Sequence, residues 1–227
     1  MTVRTLNELM RANRGAPRSI HYHSGENESR RFAFSELHDR ALGILHHLQK
    51  LGARPGDHMI LLLNNDQQFI ESFWAAVLGG IVPVPVAVGI SDEHRHKLLR
   101  IALKLGQPFI CTEHRAFERV GTFSQGSPDA TAAATFAQLR ERAFFPEDLK
   151  DLGQAGTPHE ARPEDIAFIQ FSSGSTSDPK GVVLTHANLI ANAIGATEAA
   201  GFSETDVTLS WMPLTHDMGL IGMHLIM

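Results

Sequence analysis

Residues 171–181 read Phe171-Ser172-Ser173-Gly174-Ser175-Thr176-Ser177-Asp178-Pro179-Lys180-Gly181. The apolar run before them, Ile166-Ala167-Phe168-Ile169-Gln170-Phe171, has the length and composition of a buried strand, and Val182-Val183-Leu184-Thr185 predicts the strand after it. The stretch is therefore the loop of a strand-loop-strand hairpin. Ser172, Ser173, Ser175 and Thr176 offer four small hydroxyl donors around Gly174. Glycine lets backbone N–H groups converge on an anion without a Cβ in the way, and Lys180 adds one fixed positive charge. The pattern is that of a triphosphate-gripping loop. A Ser/Gly-rich surface turn is the plain alternative, since Ser, Gly, Asp and Pro populate loops for conformational reasons alone. The fixed order of hydroxyls, glycine, proline and lysine between two apolar strands favours the phosphate reading. A Walker A loop is excluded: it needs Gly before Lys, Ser or Thr after it and a helix beginning there, whereas Pro179 precedes Lys180, Gly181 follows it and a strand comes next.

Upstream, strands and helices alternate. Ser35 is placed to cap a helix whose inner face carries Leu37, Ala41, Ile44, Leu45 and Leu48, with Gly52 at its end. Met59 to Leu63 follows as a strand. Asp66 starts a second helix with Phe69, Ile70, Phe73, Trp74, Val77 and Leu78 at helical spacing, closed by Gly79-Gly80, and Ile81 to Val86 is the next strand. Ser91 caps a third helix through Leu98, Leu99, Ala102 and Leu105, ended by Gly106, and Phe109 to Thr112 is another strand. The alternation predicts an α/β fold with a largely parallel sheet and flanking helices. Three portions are expected: 1–120 as a first α/β part, 121–162 as an irregular excursion with low order around Ser124 to Thr135, and 163–227 as the part carrying the loop. The last includes a helix from about Asn188 to Ala200 and a strand near Val207 to Trp211. No internal repeat is visible.

The 227 residues carry 20 basic and 25 acidic side chains, net −5, with no basic cluster, so a nucleic-acid surface is not expected. Cys111 is the one cysteine, which excludes an intrachain disulfide and fits a reducing cytoplasm; within Phe109-Ile110-Cys111-Thr112 it is expected to be a buried strand residue. The first residues have no apolar core of signal-peptide length, so the mature chain is expected to begin near Met1. Trp74 to Ile90 lacks charge, but Gly79, Gly80, Pro83, Pro85 and Gly89 interrupt it and it falls short of the roughly 20 residues of a membrane span. Among 13 histidines, His46-His47 and His94/His96 lie on predicted helices at spacings that do not share a face, and no carboxylate or thiol cluster completes a metal site, so no metal ligand is assigned.

The loop at 171–181 resembles the phosphate-binding core motif of the adenylate-forming (AMP-binding) superfamily, which includes acyl-CoA synthetases, fatty acyl-AMP ligases, luciferases and the adenylation domains of peptide synthetases. Phe34-Ser35-Glu36-Leu37 with the helix behind it is similar to the family's first core motif, and Val77-Leu78-Gly79-Gly80-Ile81-Val82-Pro83-Val84-Pro85 to its second. Trp211-Met212-Pro213-Leu214-Thr215-His216-Asp217-Met218-Gly219-Leu220 resembles the fourth, in wording nearest to fatty acyl-AMP ligases. The resemblance covers nearly the whole chain, most specifically at 171–181 and 211–220. Ser177 departs from it, standing where the family most often has glycine.

The resemblance implies the amino-terminal subdomain of the adenylate-forming fold and a two-step reaction. A carboxylate attacks the α-phosphorus of Mg-ATP, pyrophosphate leaves, and a thiol takes the acyl group from the adenylate. It implies an ATP-binding set of Ser172, Ser173, Gly174, Ser175, Thr176, Ser177, Lys180 and Gly181, and an acyl pocket at His216, Asp217, Met218 and Gly219. His216 is the catalytic gate beside the reacting carboxylate, and Asp217 either orients it or is simply solvated. The implied partners are a fatty or other carboxylic acid and a carrier-protein thiol, as in polyketide and nonribosomal peptide biosynthesis, with coenzyme A as the alternative acceptor. The family's adenine-stacking aromatic, Mg²⁺ ligand, ribose-binding aspartate and C-terminal catalytic lysine come later in sequence than Met227. The 227 residues are thus expected to be a fragment, inactive alone. A noncatalytic nucleotide- or acyl-binding module and an unrelated phosphotransferase are the other readings.

Overall fold

The computed structural model describes residues 3–25, 27–171 and 178–227. The chain enters through helix α1 (Leu6–Asn13), which Thr5 caps by accepting the Glu8 N–H. A hairpin follows, β1 (Ser19–Ser24) with β2 (Asn27–Ala33), antiparallel with Ile20 opposite Phe32. β2 runs straight into α2 (Phe34–Lys50), and this corrects the expected cap at Ser35. Ala33, in extended conformation, is the capping residue and offers no side-chain bond; the first helical amide, Phe34 N–H, instead donates to the Arg18 carbonyl at 3.2 Å. A carbonyl just ahead of β1 does the work of a capping hydroxyl.

Next come β3 (His58–Leu62), α3 (Asp66–Leu78) capped by Asn65, β4 (Val82–Pro85), α4 (Asp92–Leu105) capped by Ser91, and β5 (Phe109–Thr112). These match the expected alternation closely. α5 (His114–Gly126) and α6 (Ala130–Glu141) then occupy much of the stretch expected to be irregular, and β6 (Ala143–Phe144) adds a short strand. Asp129 caps α6 by accepting the Thr131 N–H at 2.9 Å, and Ala132, Thr135 and Leu139 form its buried face. From Leu149 to Asp165 the chain has no regular element.

Among the described residues the central sheet has four parallel strands in the order β4-β3-β5-β6. Alternation along the strands divides the core in two. Met59, Leu61, Phe109 and Cys111 face a layer built from α1, α2 and α3. Ile60, Leu62, Val82, Val84 and Ile110 face the layer of α4, α5 and α6. A sheet buried on both faces requires such near-continuous apolar strands. Cys111 is fully buried, and that burial pushes its thiol up to about 12. No helix among the described residues is long and apolar enough to cross a membrane.

A second hairpin, β7 (Ile166–Phe171) with β8 (Gly181–Thr185), lies beside β4 and leads into α7 (His186–Ala200). Thr185 and Asn188 close a reciprocal capping box at the start of α7. Val207 to Trp211 is not a strand: Val207, Leu209 and Trp211 alternate as a strand face would, yet they are 95%, 73% and 85% exposed and no described strand pairs with them. Alternation without a ladder partner leaves backbone groups to water rather than to a sheet. The chain ends in a π-helical segment, Met218–Leu225.

Candidate functional site

The register of β7 and β8 closes with Phe171 opposite Gly181, so the 171–181 loop is the connection of an antiparallel hairpin, as its flanking runs predicted. Ser172, Ser173, Gly174, Ser175, Thr176 and Ser177 lie outside the described residues. Lys180 and Gly181 are described: Lys180 is exposed, directly after the buried Pro179. A Cβ on Gly181 would stand 2.9 Å from Ile169 Cγ2 and 3.1 Å from Phe171 Cζ, so the hairpin closes tightly at that position because nothing projects from it.

The exit of the loop is tied to α4. Asp178 accepts from Arg100 Nη2 at 2.9 Å and from Lys104 Nζ at 2.6 Å, and the same ammonium donates to the Pro179 carbonyl at 3.1 Å. Arg100 and Lys104 are four residues apart and share one helix face. The hydrogen bond from Lys104 holds the Asp178 carboxyl below the usual range.

The second segment, 211–220, is fastened to the same hairpin. Gln170 Nε2 donates to the Thr215 carbonyl at 3.0 Å, which sets His216 beside the end of β7. His216 N–H closes a turn onto the Pro213 carbonyl at 3.0 Å, and its own carbonyl accepts the Leu220 N–H at 3.0 Å, so the residue leads directly into the π-helical segment. Its ring Nδ1 lies 2.7 Å from Asp217 Oδ1, and both side chains are exposed. Asp217 also accepts the Met218 N–H at 2.8 Å. Met218 is half exposed, whereas Gly219 and Leu220 are buried. A Cβ on Gly219 would collide with the Pro213 carbonyl, so the turn and the helix meet only because that residue has no side chain.

Beneath this segment, Trp74 Nε1–H of α3 donates to His224 Nε2 at 2.9 Å. Burial pushes His224 down to about 4, and the bond requires an unprotonated Nε2. His186, at the first position of α7, is likewise lowered by burial and accepts the Leu6 N–H on Nδ1 at 3.1 Å.

The structure therefore brings the mouth of the 171–181 hairpin together with the His216 segment through Gln170. Sequence reasoning missed Gln170, Asp178, Arg100, Lys104 and the Trp74–His224 pair; the only available signal was the basic pair at helical spacing on α4. The loop's hydroxyls, glycine and lysine suit the oxygens of a triphosphate. Among the described residues, no group of three His, Cys, Asp or Glu is arranged to hold a metal ion.

Comparison with known proteins places the chain. A putative acyl-CoA synthetase of Caulobacter vibrioides is 32% identical over 194 residues, which cover 83% of this chain and 32% of that protein. A medium-chain-fatty-acid–[acyl-carrier-protein] ligase, TtuA, of Teredinibacter turnerae is 27% identical over 228 residues, covering 87% of this chain and 35% of its own length. This chain thus spans about a third of the curated relatives it matches. The solved structure of McyG A-PCP complexed with phenylalanyl-adenylate superposes with a TM-score of 0.85 at 28% identity, covering 99% of this chain and 35% of that one. The fold is that of adenylation domains. With the AMP-binding enzyme model matching residues 9–227, the chain belongs to the AMP-binding enzyme family.

Proposed function

We propose that this chain is the amino-terminal part of an ATP-dependent acyl-activating ligase that forms an acyl-adenylate from a fatty or related carboxylic acid. The observation that carries the reading is the Gln170–Thr215 hydrogen bond, which fastens the segment bearing His216 to the hairpin whose loop has triphosphate chemistry.

In this reading the substrate carboxylate oxygen forms a bond to the α-phosphorus of ATP. The α–β phosphoanhydride bond breaks, and pyrophosphate departs with the electron pair. Ser172, Ser173, Gly174, Ser175, Thr176, Ser177, Lys180 and Gly181 hold the β- and γ-phosphates, neutralising charge that builds on the leaving group. His216, Asp217, Met218 and Gly219 form the carboxylate end of the acyl pocket. Magnesium, when bound, would supply further charge neutralisation on the phosphates; in this reading its acidic ligand and the catalytic lysine come from the rest of the ligase, so the 227 residues alone would not catalyse the reaction. The protein works in the cytoplasm on small molecules and a thiol partner, and its net charge of −5 gives no reason to expect nucleic acid.

For the second step a carrier-protein phosphopantetheine thiol is the favoured acceptor. The wording of His216-Asp217-Met218-Gly219-Leu220 supports this, and the Teredinibacter relative is named a carrier-protein ligase. Coenzyme A is the second reading, favoured by the name of the Caulobacter relative. The test is a side-by-side assay of the full-length protein with a medium- or long-chain fatty acid, ATP and Mg²⁺, offering coenzyme A in one tube and a phosphopantetheinylated carrier in the other. Carrier loading is expected. Rapid acyl-CoA formation reverses the choice of acceptor, and no acyl-adenylate in either tube sinks the ligase reading in favour of a noncatalytic binding module.

A further inference from the structure

Lys180 sits between two fixed points. On one side Gly181 is held in the β7–β8 ladder opposite Phe171. On the other, Lys104 grips both the Asp178 carboxylate, at 2.6 Å, and the Pro179 carbonyl, at 3.1 Å, while Arg100 takes the second carboxylate oxygen at 2.9 Å. α4 itself is anchored by packing, with Leu98, Leu99, Ile101 and Ala102 buried in the core. A lysine has a flexible four-carbon stem, so the reach of its ammonium depends on how firmly its backbone is anchored.

We infer that Asp178, through Arg100 and Lys104, is a positioning residue that fixes the chain leaving the 171–181 loop and thereby aims Lys180 at a bound triphosphate. This rests on the triphosphate reading of the loop. All three side chains are partly exposed, with 53%, 36% and 43% accessibility for Asp178, Arg100 and Lys104. Exposed ion pairs add little to overall stability, so the contact shows in alignment rather than in folding.

The experiment compares Asp178→Asn, Lys104→Met, the double variant and Lys180→Ala in the full-length protein, reading KM for ATP, kcat and the melting temperature. Each of the two latch variants is expected to raise KM for ATP about threefold to tenfold with kcat and melting temperature little changed. The double variant is expected to be no worse than either single one, because both remove the same contact. A wild-type KM in Asp178→Asn, or additive losses in the double variant, overturns the positioning role while Lys180→Ala remains impaired. If Lys180→Ala is itself unimpaired, the triphosphate reading falls, and the positioning role with it.

Discussion

Gln170 and Thr215, 45 residues apart in sequence, are joined by a 3.0 Å hydrogen bond from the Gln170 amide to the Thr215 carbonyl. That contact ties the β7–β8 hairpin to the segment carrying His216, the two places where the proposed reaction's partners would meet. Near-attack geometry tolerates little displacement. Replacing Gln170 by Leu or Glu removes the donor and should lower kcat/KM for the carboxylic acid about tenfold, the worth of one hydrogen bond of roughly 1 to 1.5 kcal/mol. Steady-state kinetics of the full-length variants check this; unchanged kcat/KM in both removes Gln170 from the site.

The Trp74–His224 pair makes an acid-sensitive joint between α3 and the π-helical segment. Burial lowers His224 from its ordinary value near 6.5 to about 4, so in this window the unfolded chain binds more protons than the folded one. The stability this group contributes is complete above about pH 6.5 and is lost as pH falls toward 4, and His186 acts in the same direction. The melting temperature should drop steeply between pH 6.5 and 4. Replacing His224 by Gln should flatten that slope, and an equally steep slope in the variant assigns the acid sensitivity elsewhere.

Gly219 is the position where the Met212-Pro213 turn touches the helical segment. Adding a methyl group by Gly219→Ala drives it into the Pro213 carbonyl and should cost about 1 to 3 kcal/mol. Denaturant unfolding measures the loss. The same change at Gly195, whose added Cβ would meet nothing within 4 Å, is the control and should be far milder.

Expressed by themselves, the 227 residues should give no carboxylate-dependent pyrophosphate exchange above background. On the proposed reading the metal ligand and the catalytic lysine belong to the rest of the ligase, and each would contribute several kcal/mol to transition-state stabilisation. Enzymatic exchange by the isolated chain would place the whole machinery within these residues.

The elements that position the site were legible where burial imposes a period. β3, β4 and β5 read as apolar runs because both faces of the sheet are covered, and the second half of α3, Phe73 to Leu78, is apolar throughout because it is buried throughout. α6 was not legible: its inner face is Ala132, Thr135 and Leu139, small or polar residues that pack without making an apolar stripe. The cap at Ser35 failed because the Arg18 carbonyl, just ahead of β1 and invisible to local spacing, meets Phe34 N–H. Val207 to Trp211 had the alternation of a strand and lacked the partner that makes one. The hairpin that carries the loop was legible in the two apolar runs flanking it, whereas the contacts from Gln170 and Asp178 join side chains 45 to 78 residues distant from their partners and have no periodic signature.

The most direct measurement is carboxylic-acid-dependent exchange of labelled pyrophosphate into ATP by the full-length protein, run at limiting ATP with the native chain and with Lys180→Ala. Exchange is expected to require a fatty acid. It should fall about tenfold to a hundredfold in the variant, the loss of one charge-assisted phosphate contact of roughly 1.5 to 3 kcal/mol. Exchange that does not depend on the acid, or a Lys180→Ala protein as active as the native one, contradicts the assignment of residues 171–181 as the triphosphate site of an adenylating enzyme.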